Sequence, residues 1–211
     1  MKTLRIVWLA LNALCAPLAG PQAFAGDGKP AAKLETAIFA GGCFWCMEAP
    51  FDQLPGVTEV LPGYTGGKKL KPTYEEVSSG STGHAEAIRV VYDPALISYS
   101  KLLDVFWHQV DPTTEDAQFC DHGSQYRSGI FYTTEQQKTE AEKSKQDLQK
   151  SGVFKSKLVT EITKASEFYV GEEYHQHYYK KNPIRYRYYR NGCGRDRYLE
   201  SIWGKEAAGH K

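Results

Sequence analysis

The chain has 211 residues, 26 Lys and Arg against 25 Asp and Glu, a formal net charge of +1 and 41% hydrophobic residues. That length and apolar share suit one domain with its own core, for which disulfide stapling is not needed. The near-neutral charge gives no reason to invoke attraction to nucleic acid phosphates or to an anionic membrane surface.

Met1 to Arg5 carries Lys2 and Arg5 and no acid, Ile6 to Ala19 is mostly apolar, and Ala23-Phe24-Ala25 is a small-x-small site. This order predicts a secretory signal peptide over residues 1–25, cut after Ala25. The apolar run is shorter than the ~20 residues of a spanning helix, so no membrane attachment is expected after cleavage. The expected product is exported, to the periplasm. Residues 26–34 form an exposed segment, 35–203 a single domain and 204–211 a tail.

Thr36 to Ala40 is short, apolar and β-branched, and predicts a strand that Gly41 and Gly42 end. Phe44, Met47, Phe51 and Leu54 then recur at helical spacing, with Pro50 set to kink or shorten that helix. Val57 to Val60 reads as a strand, Gly63 to Lys69 as a Gly-rich loop, and Ala87 to Val91 as another strand. Ser98 caps a helix whose face is Leu102, Leu103, Phe106 and Trp107. Pro112 to Gln125 reads as a loop and Ser128 to Tyr132 as a strand. A polar helix capped by Thr133 runs to about Lys150, a strand spans Lys157 to Ile162, and Phe168 to Tyr179 looks helical. After Pro183 the chain looks irregular. Lys180, Lys181, Arg185, Arg187, Arg190, Arg195 and Arg197 gather there, and read as a solvated face rather than a nucleic-acid surface. Alternation of this kind predicts an α+β sandwich with a mixed or antiparallel sheet.

Beyond the predicted signal there are four cysteines: Cys43, Cys46, Cys120 and Cys193. Cys43-x-x-Cys46 is too close to clamp a long loop, which favours redox or metal chemistry over scaffolding. Cys43 follows a Gly turn and opens a helix, where unpaired N–H groups and the positive helix end favour a thiolate. A thiolate there would be a nucleophile, with Phe44 and Trp45 as an apolar wall.

Gly42-Cys43-Phe44-Trp45 with Glu48, Pro55-Gly56-Val57 and Gly63-Tyr64-Thr65-Gly66-Gly67 resemble peptide methionine sulfoxide reductase of the A type. The resemblance continues in order through Pro72-Thr73-Tyr74-Glu75-Glu76-Val77, Thr82-Gly83-His84-Ala85-Glu86-Ala87, Tyr92-Asp93-Pro94 and Asp111-Pro112-Thr113. Asp121-His122-Gly123-Ser124-Gln125-Tyr126-Arg127-Ser128, Phe168-Tyr169 and Lys181-Asn182-Pro183 complete it. It spans roughly Thr36 to Pro183, and the ordered set is far more specific than any one motif.

The resemblance implies a two-layer α/β sandwich around a mixed sheet, a ferredoxin-like plait with an irregular C-terminal segment. It also implies reduction of the S epimer of methionine sulfoxide, free or in proteins, as repair of oxidised exported proteins. On the matching positions Cys43 attacks sulfur and becomes a sulfenic acid, Glu86 donates a proton, and Tyr74 and Tyr126 hold the oxygen. Phe44 and Trp45 enclose the methyl group and Asp121 orients the substrate. His84 and His122 read as structural hydrogen-bonders. The family commonly resolves its sulfenic acid with a cysteine in a Gly-rich C-terminal stretch. Cys193, in Asn191-Gly192-Cys193-Gly194, fits that description, while Cys46 stays open as the alternative and Cys120 reads as a packed thiol beside the site. No bound cofactor or metal is implied, only an external dithiol such as a thioredoxin-like protein, and a monomer is expected. Two other readings are a zinc module on Cys43, Cys46, Cys120 and His122 or Cys193, and a thioredoxin-like disulfide oxidoreductase.

Overall fold

The computed structural model describes residues 33–204. The expected signal peptide and its cleavage site, most of the 26–34 segment and most of the tail lie outside the described residues. The six-stranded sheet is built from β1 (Glu35–Gly41), β2 (Val57–Thr65), β3 (Ala85–Tyr92), β6 (Ser128–Tyr132), β7 (Glu161–Lys164) and β8 (Tyr169–Val170). Its order is β7-β6-β1-β3-β2-β8. Only the β6–β7 pair is parallel; the others run antiparallel. The inner four strands, with α1 (Phe44–Asp52) after β1 and α3 (Tyr99–Trp107) after β3, form the βαββαβ plait expected from the resemblance.

Strand alternation explains the two layers. Along β1, Ala37 and Phe39 join the large core with Phe44, Met47, Phe51, Leu102 and Phe106, whereas Ile38 and Ala40 pack with Ala85, Ala87 and Phe131. The two faces are thus sealed by the period-two geometry of the strand. Phe39 is fully buried and stacks on Phe51, Tyr99 and Phe106. Truncating such a side chain to alanine costs about 3–5 kcal/mol. Ser98 caps α3 by accepting from Lys101 N, and Thr134, one residue past the expected cap, does the same for α4 (Glu135–Ser151) through Gln137 N. Helix α1 ends just beyond Pro50, in keeping with its missing N–H.

Five sequence expectations change. The strand read over Lys157 to Ile162 forms later, as β7 at Glu161–Lys164. The Gly63–Lys69 loop begins as strand, because Gly63 and Tyr64 pair with β3 and with β8. Inside the 112–125 loop, β4 (Ala117–Gln118) and β5 (Asp121–His122) form a small ladder. The 168–179 stretch is not one helix. It runs as β8, a turn of 3-10 helix at Glu173–His175 and α5 (Tyr178–Lys181), broken where His177 takes φ 52. The C-terminal segment is not irregular: α6 (Pro183–Gly192) and α7 (Arg195–Trp203) are helices. Their apolar surface is carried by the bodies of Tyr and Arg, which a hydrophobic-periodicity reading scores as polar. A short helix, α2 (Tyr74–Ser78), is opened by a capping box between Thr73 and Glu76. No helix among the described residues is long and apolar enough to cross a membrane.

Candidate active site

The sharp turn from β1 into α1 places the nucleophile candidate. Gly42 has φ 77, and a Cβ there would sit 2.5 Å from Gln118 Cβ, so glycine is required on both counts. Cys43 follows as the N-cap of α1, with φ −52 and ψ 118. The first free N–H of the helix, on Phe44, donates to Glu86 Oε2 at 3.1 Å across from β3. Cys43 and Glu86 are therefore brought side by side from adjacent elements. Glu86 is 2% exposed. Burial pushes its carboxyl up to about 8, helped by the charges of Asp121 and Cys46 and opposed by the Phe44 N–H. A carboxyl kept neutral near pH 7 is what proton donation to a sulfoxide oxygen needs.

Tyr74, at the start of α2, and Tyr126, in a turn of 3-10 helix before β6, join them. Both are half-buried, and burial followed by the charge of Glu86 raises both phenols, Tyr74 to about 12. Their hydroxyls keep their protons and remain donors. Asp121 on β5 accepts from Tyr189 Oη at 2.6 and 2.7 Å, and burial raises its pKa. Phe44 and Trp45 form an aromatic wall with His175: Phe44 lies 4.8 Å from the His175 ring, and Trp45 Nε1 donates to His175 Nδ1 at 3.0 Å. Trp45 also stacks on Tyr178 at 3.8 Å. Every residue that the resemblance assigned to attack, proton donation, oxygen binding and methyl contact thus converges on one place.

The cysteines depart from expectation. Cys120 is not a packed free thiol; it is disulfide-bonded to Cys193, with Cα atoms 4.9 Å apart. In this state Cys193 has no thiol to resolve a sulfenic acid. Cys43 and Cys46 are the free, buried pair. The thiolate expected at Cys43 also shifts. Burial, then a hydrogen bond with Cys46, then the charges of Cys46, Glu86 and Asp121 raise Cys43 well above its ordinary value. A hydrogen bond from Cys43, then the guanidiniums of Arg195 and Arg190, draw Cys46 down to about 6 against its burial. The two free thiols are thus hydrogen-bonded to each other and titrate as a pair.

Several residues of the site stand apart from the motif reading. His175 is buried, its pKa lowered by burial, and it is a neutral ring. Glu172 accepts from Tyr64 Oη at 2.6 Å and Tyr74 N at 2.8 Å, fixing the start of α2. Glu48, fully buried, accepts from His177 N at 2.8 Å and holds the left-handed turn into α5. Arg190 and Arg195 are buried rather than solvated. Their signal in the sequence was the interleaving of Arg with Tyr. His84 does serve structure: its Nδ1 accepts from Gly67 N at 3.1 Å. His122 is exposed. The zinc set is not assembled. Among the described residues the grouped metal-ligand types are Cys120, Asp121 and Cys193, apart from Cys43 and Cys46, and two of the three are joined to each other.

A free buried thiol pair beside a neutral buried acid, two protonated phenols and an aromatic wall fits a thiol-dependent oxidoreductase. The profile of the family described as PMSR, peptide methionine sulfoxide reductase, matches residues 35–207. A Bacillus subtilis peptide methionine sulfoxide reductase MsrA is 54% identical over 172 residues, 82% of this chain and 97% of that protein. The crystal structure of reduced Mxr1 from Saccharomyces cerevisiae superposes with a TM-score of 0.69 at 34% identity, covering 73% of this chain and 88% of that one. Mxr1 in complex with Trx2 matches with a TM-score of 0.51 at 27% identity over 70% of this chain and 86% of that one. The chain belongs to the peptide methionine sulfoxide reductase family and is an oxidoreductase that reduces methionine sulfoxide.

Proposed function

We propose that this enzyme reduces the S epimer of methionine sulfoxide, free or in exported proteins, by attack of Cys43 on sulfur. The reading rests on one observation above all: the neutral, buried Glu86 carboxyl held on the N–H of Phe44, the residue next to Cys43. A sulfoxide sulfur becomes electrophilic as its oxygen gains a proton. Glu86 supplies that proton, and Tyr74 and Tyr126 donate hydrogen bonds to the same oxygen. Phe44 and Trp45 take the methyl group, and Asp121, held by Tyr189, orients the substrate. Methionine leaves and Cys43 carries a sulfenic acid.

Cys46 resolves it. This reading is favoured over Cys193 by the Cys120–Cys193 disulfide and by the free thiol of Cys46 one helical turn from Cys43. An external dithiol then returns the electrons, and the Mxr1–Trx2 complex supports a thioredoxin-like reductant. The basic start, apolar run and Ala23-Phe24-Ala25 support export with cleavage after Ala25. Intact mass of the exported protein tests this, and Phe24 retained in it contradicts export by that route.

The test of the chemistry is turnover of the separated sulfoxide epimers, with peptide mapping after one turnover. The S epimer alone is expected to be consumed, Cys43→Ser to be inactive, and a Cys43–Cys46 bridge to appear. Equal use of both epimers, or activity in Cys43→Ser, contradicts the proposal.

A further inference from the structure

Trp45 is held by two rings and, at one atom, by a hydrogen bond. Its indole stacks on Tyr178 of α5 with centroids 3.8 Å apart and planes 5° from parallel, and it meets Tyr189 of α6 edge-on at 5.9 Å. Stacked faces attract without fixing register, so stacking alone leaves the indole free to slide across Tyr178. The directional contact is the bond from Trp45 Nε1 to His175 Nδ1 at 3.0 Å. The same imidazole lies against Phe44, with ring centroids 4.8 Å apart. His175 therefore touches both residues of the apolar wall.

His175 is itself anchored from three elements, and is 1% exposed. Glu172, which begins its turn, takes Tyr64 Oη of β2 and Tyr74 N of α2. Gln176, the next residue, donates to Pro62 O at 3.0 Å and Gly171 O at 2.8 Å. His177 N donates to Glu48 of α1. An indole N–H only donates, so His175 Nδ1 carries no proton and the neutral ring keeps its proton on Nε2. Nε2 is buried without a hydrogen-bond partner, and Glu172 Oε2 lies 3.9 Å from it. The unpaired donor is a cost. In return the indole gains an acceptor that carries no charge. A carboxylate in that place would hold the indole as well, but would add an anion to the site in which Cys43 must ionise.

We propose that His175 is the positioning residue for Trp45: its unprotonated Nδ1 fixes where the indole lies on Tyr178, and so makes the wall rigid enough to accept a sulfoxide with a methyl group and turn away one with a longer alkyl group. The inference rests on the reading that Phe44 and Trp45 take the methyl group. An apolar pocket distinguishes one methylene by about 10–200-fold. That discrimination requires walls that do not yield, because a sliding indole would make room for the extra carbon. His175 takes no part in the covalent steps, which stay with Cys43 and Glu86.

The test is single-turnover reduction of methionine sulfoxide and of ethionine sulfoxide, as matched epimers, by the full chain with Trp45→Phe, His175→Leu, both or neither. Trp45→Phe keeps a ring and removes the N–H, and His175→Leu keeps bulk and removes the acceptor. Each is expected to raise the half-saturating concentration of methionine sulfoxide about tenfold, with a much smaller fall in maximal rate, and to cut the preference for methyl over ethyl about tenfold. The double variant is expected to be no worse than either single one, because both remove the same bond. His175→Asn, which offers an amide oxygen near the place of Nδ1, is expected to restore most of the loss. In nuclear magnetic resonance spectra the Trp45 indole N–H signal is expected to move on His175→Leu and to return on His175→Asn. Should His175→Leu not fold, His175→Phe takes its place in the cycle. Additive losses in the double variant overturn the inference, as does a His175→Leu enzyme that keeps the methyl preference while Trp45→Phe loses it. A preference unchanged even by Trp45→Ala removes the methyl-wall reading and the inference with it, and the N–H signal separates that failure from a missing Trp45–His175 bond.

Discussion

Glu86 works through two properties that pull apart. It must be buried to hold its proton, and it must accept the Phe44 N–H to sit beside Cys43. A glutamine keeps the second property and loses the first. Glu86→Gln is therefore expected to retain the fold, since its amide oxygen accepts from Phe44. Sulfenic-acid formation should fall by about 10²–10⁴-fold, the usual weight of a positioned acid. Quenched single-turnover measurement of product methionine checks this, and a near-normal burst removes the acid role. The same step in wild type is expected to weaken as pH rises through about 8, where the carboxyl ionises. In the sequence Glu86 is one acid in a strand of Ala, Ile and Val. Its burial and its role were legible only because Tyr74, Tyr126, Asp121 and the Cys43 turn occurred in the family's order. His175 and Glu172 were not singled out for a role. Nothing local marks a histidine as the back wall of a pocket, or a glutamate as the clamp on a helix 98 positions away in the chain.

At the scale of elements, β1, β3, β6 and α3 were legible because one period, two or 3.6, dominates each. Failure came where polar atoms do structural work. The α6–α7 pair buries Arg190, Arg195 and Leu199 behind Tyr and Arg side chains, and β8 is held as strand by only two register partners. The Cys120–Cys193 bond now gains a structural meaning that sequence spacing did not give it. It ties the β4–β5 ladder, which carries Asp121, to the residue that joins α6 to α7. Closing a loop with a sequence separation of 73 restricts the unfolded chain and is worth about 2–4 kcal/mol. Cys193→Ser is expected to lower the melting temperature measurably, while turnover supported by dithiothreitol persists because Cys46 closes on Cys43. Loss of turnover in Cys193→Ser would return the resolving role to Cys193, and an unchanged melting temperature would leave the bond without its stapling role.

Across the whole molecule, charge placement links stability to pH in opposite directions. Glu86 and Glu48 are both raised by burial, to about 8 and about 7, so the native protein binds their protons more tightly than the unfolded chain does. Their contribution is complete below the unfolded carboxylate range and is lost as pH rises through those values. Cys46 is lowered to about 6, so its contribution is complete above the ordinary thiol range and is lost as pH falls through about 6. Between pH 6 and 8 the two trends partly cancel, and wild-type stability alone is a poor reporter of either. The difference between wild type and Glu86→Gln isolates one of them. Glutamine carries no proton to lose, so the variant's stability relative to wild type is expected to rise steadily from pH 5 to about 8.5. The gain is limited to about 1.4 kcal/mol per pH unit, because one proton is at stake. Denaturant unfolding at several pH values checks this. A difference independent of pH would mean that Glu86 is already ionised across the range, and the neutral acid on which the chemistry depends would be gone.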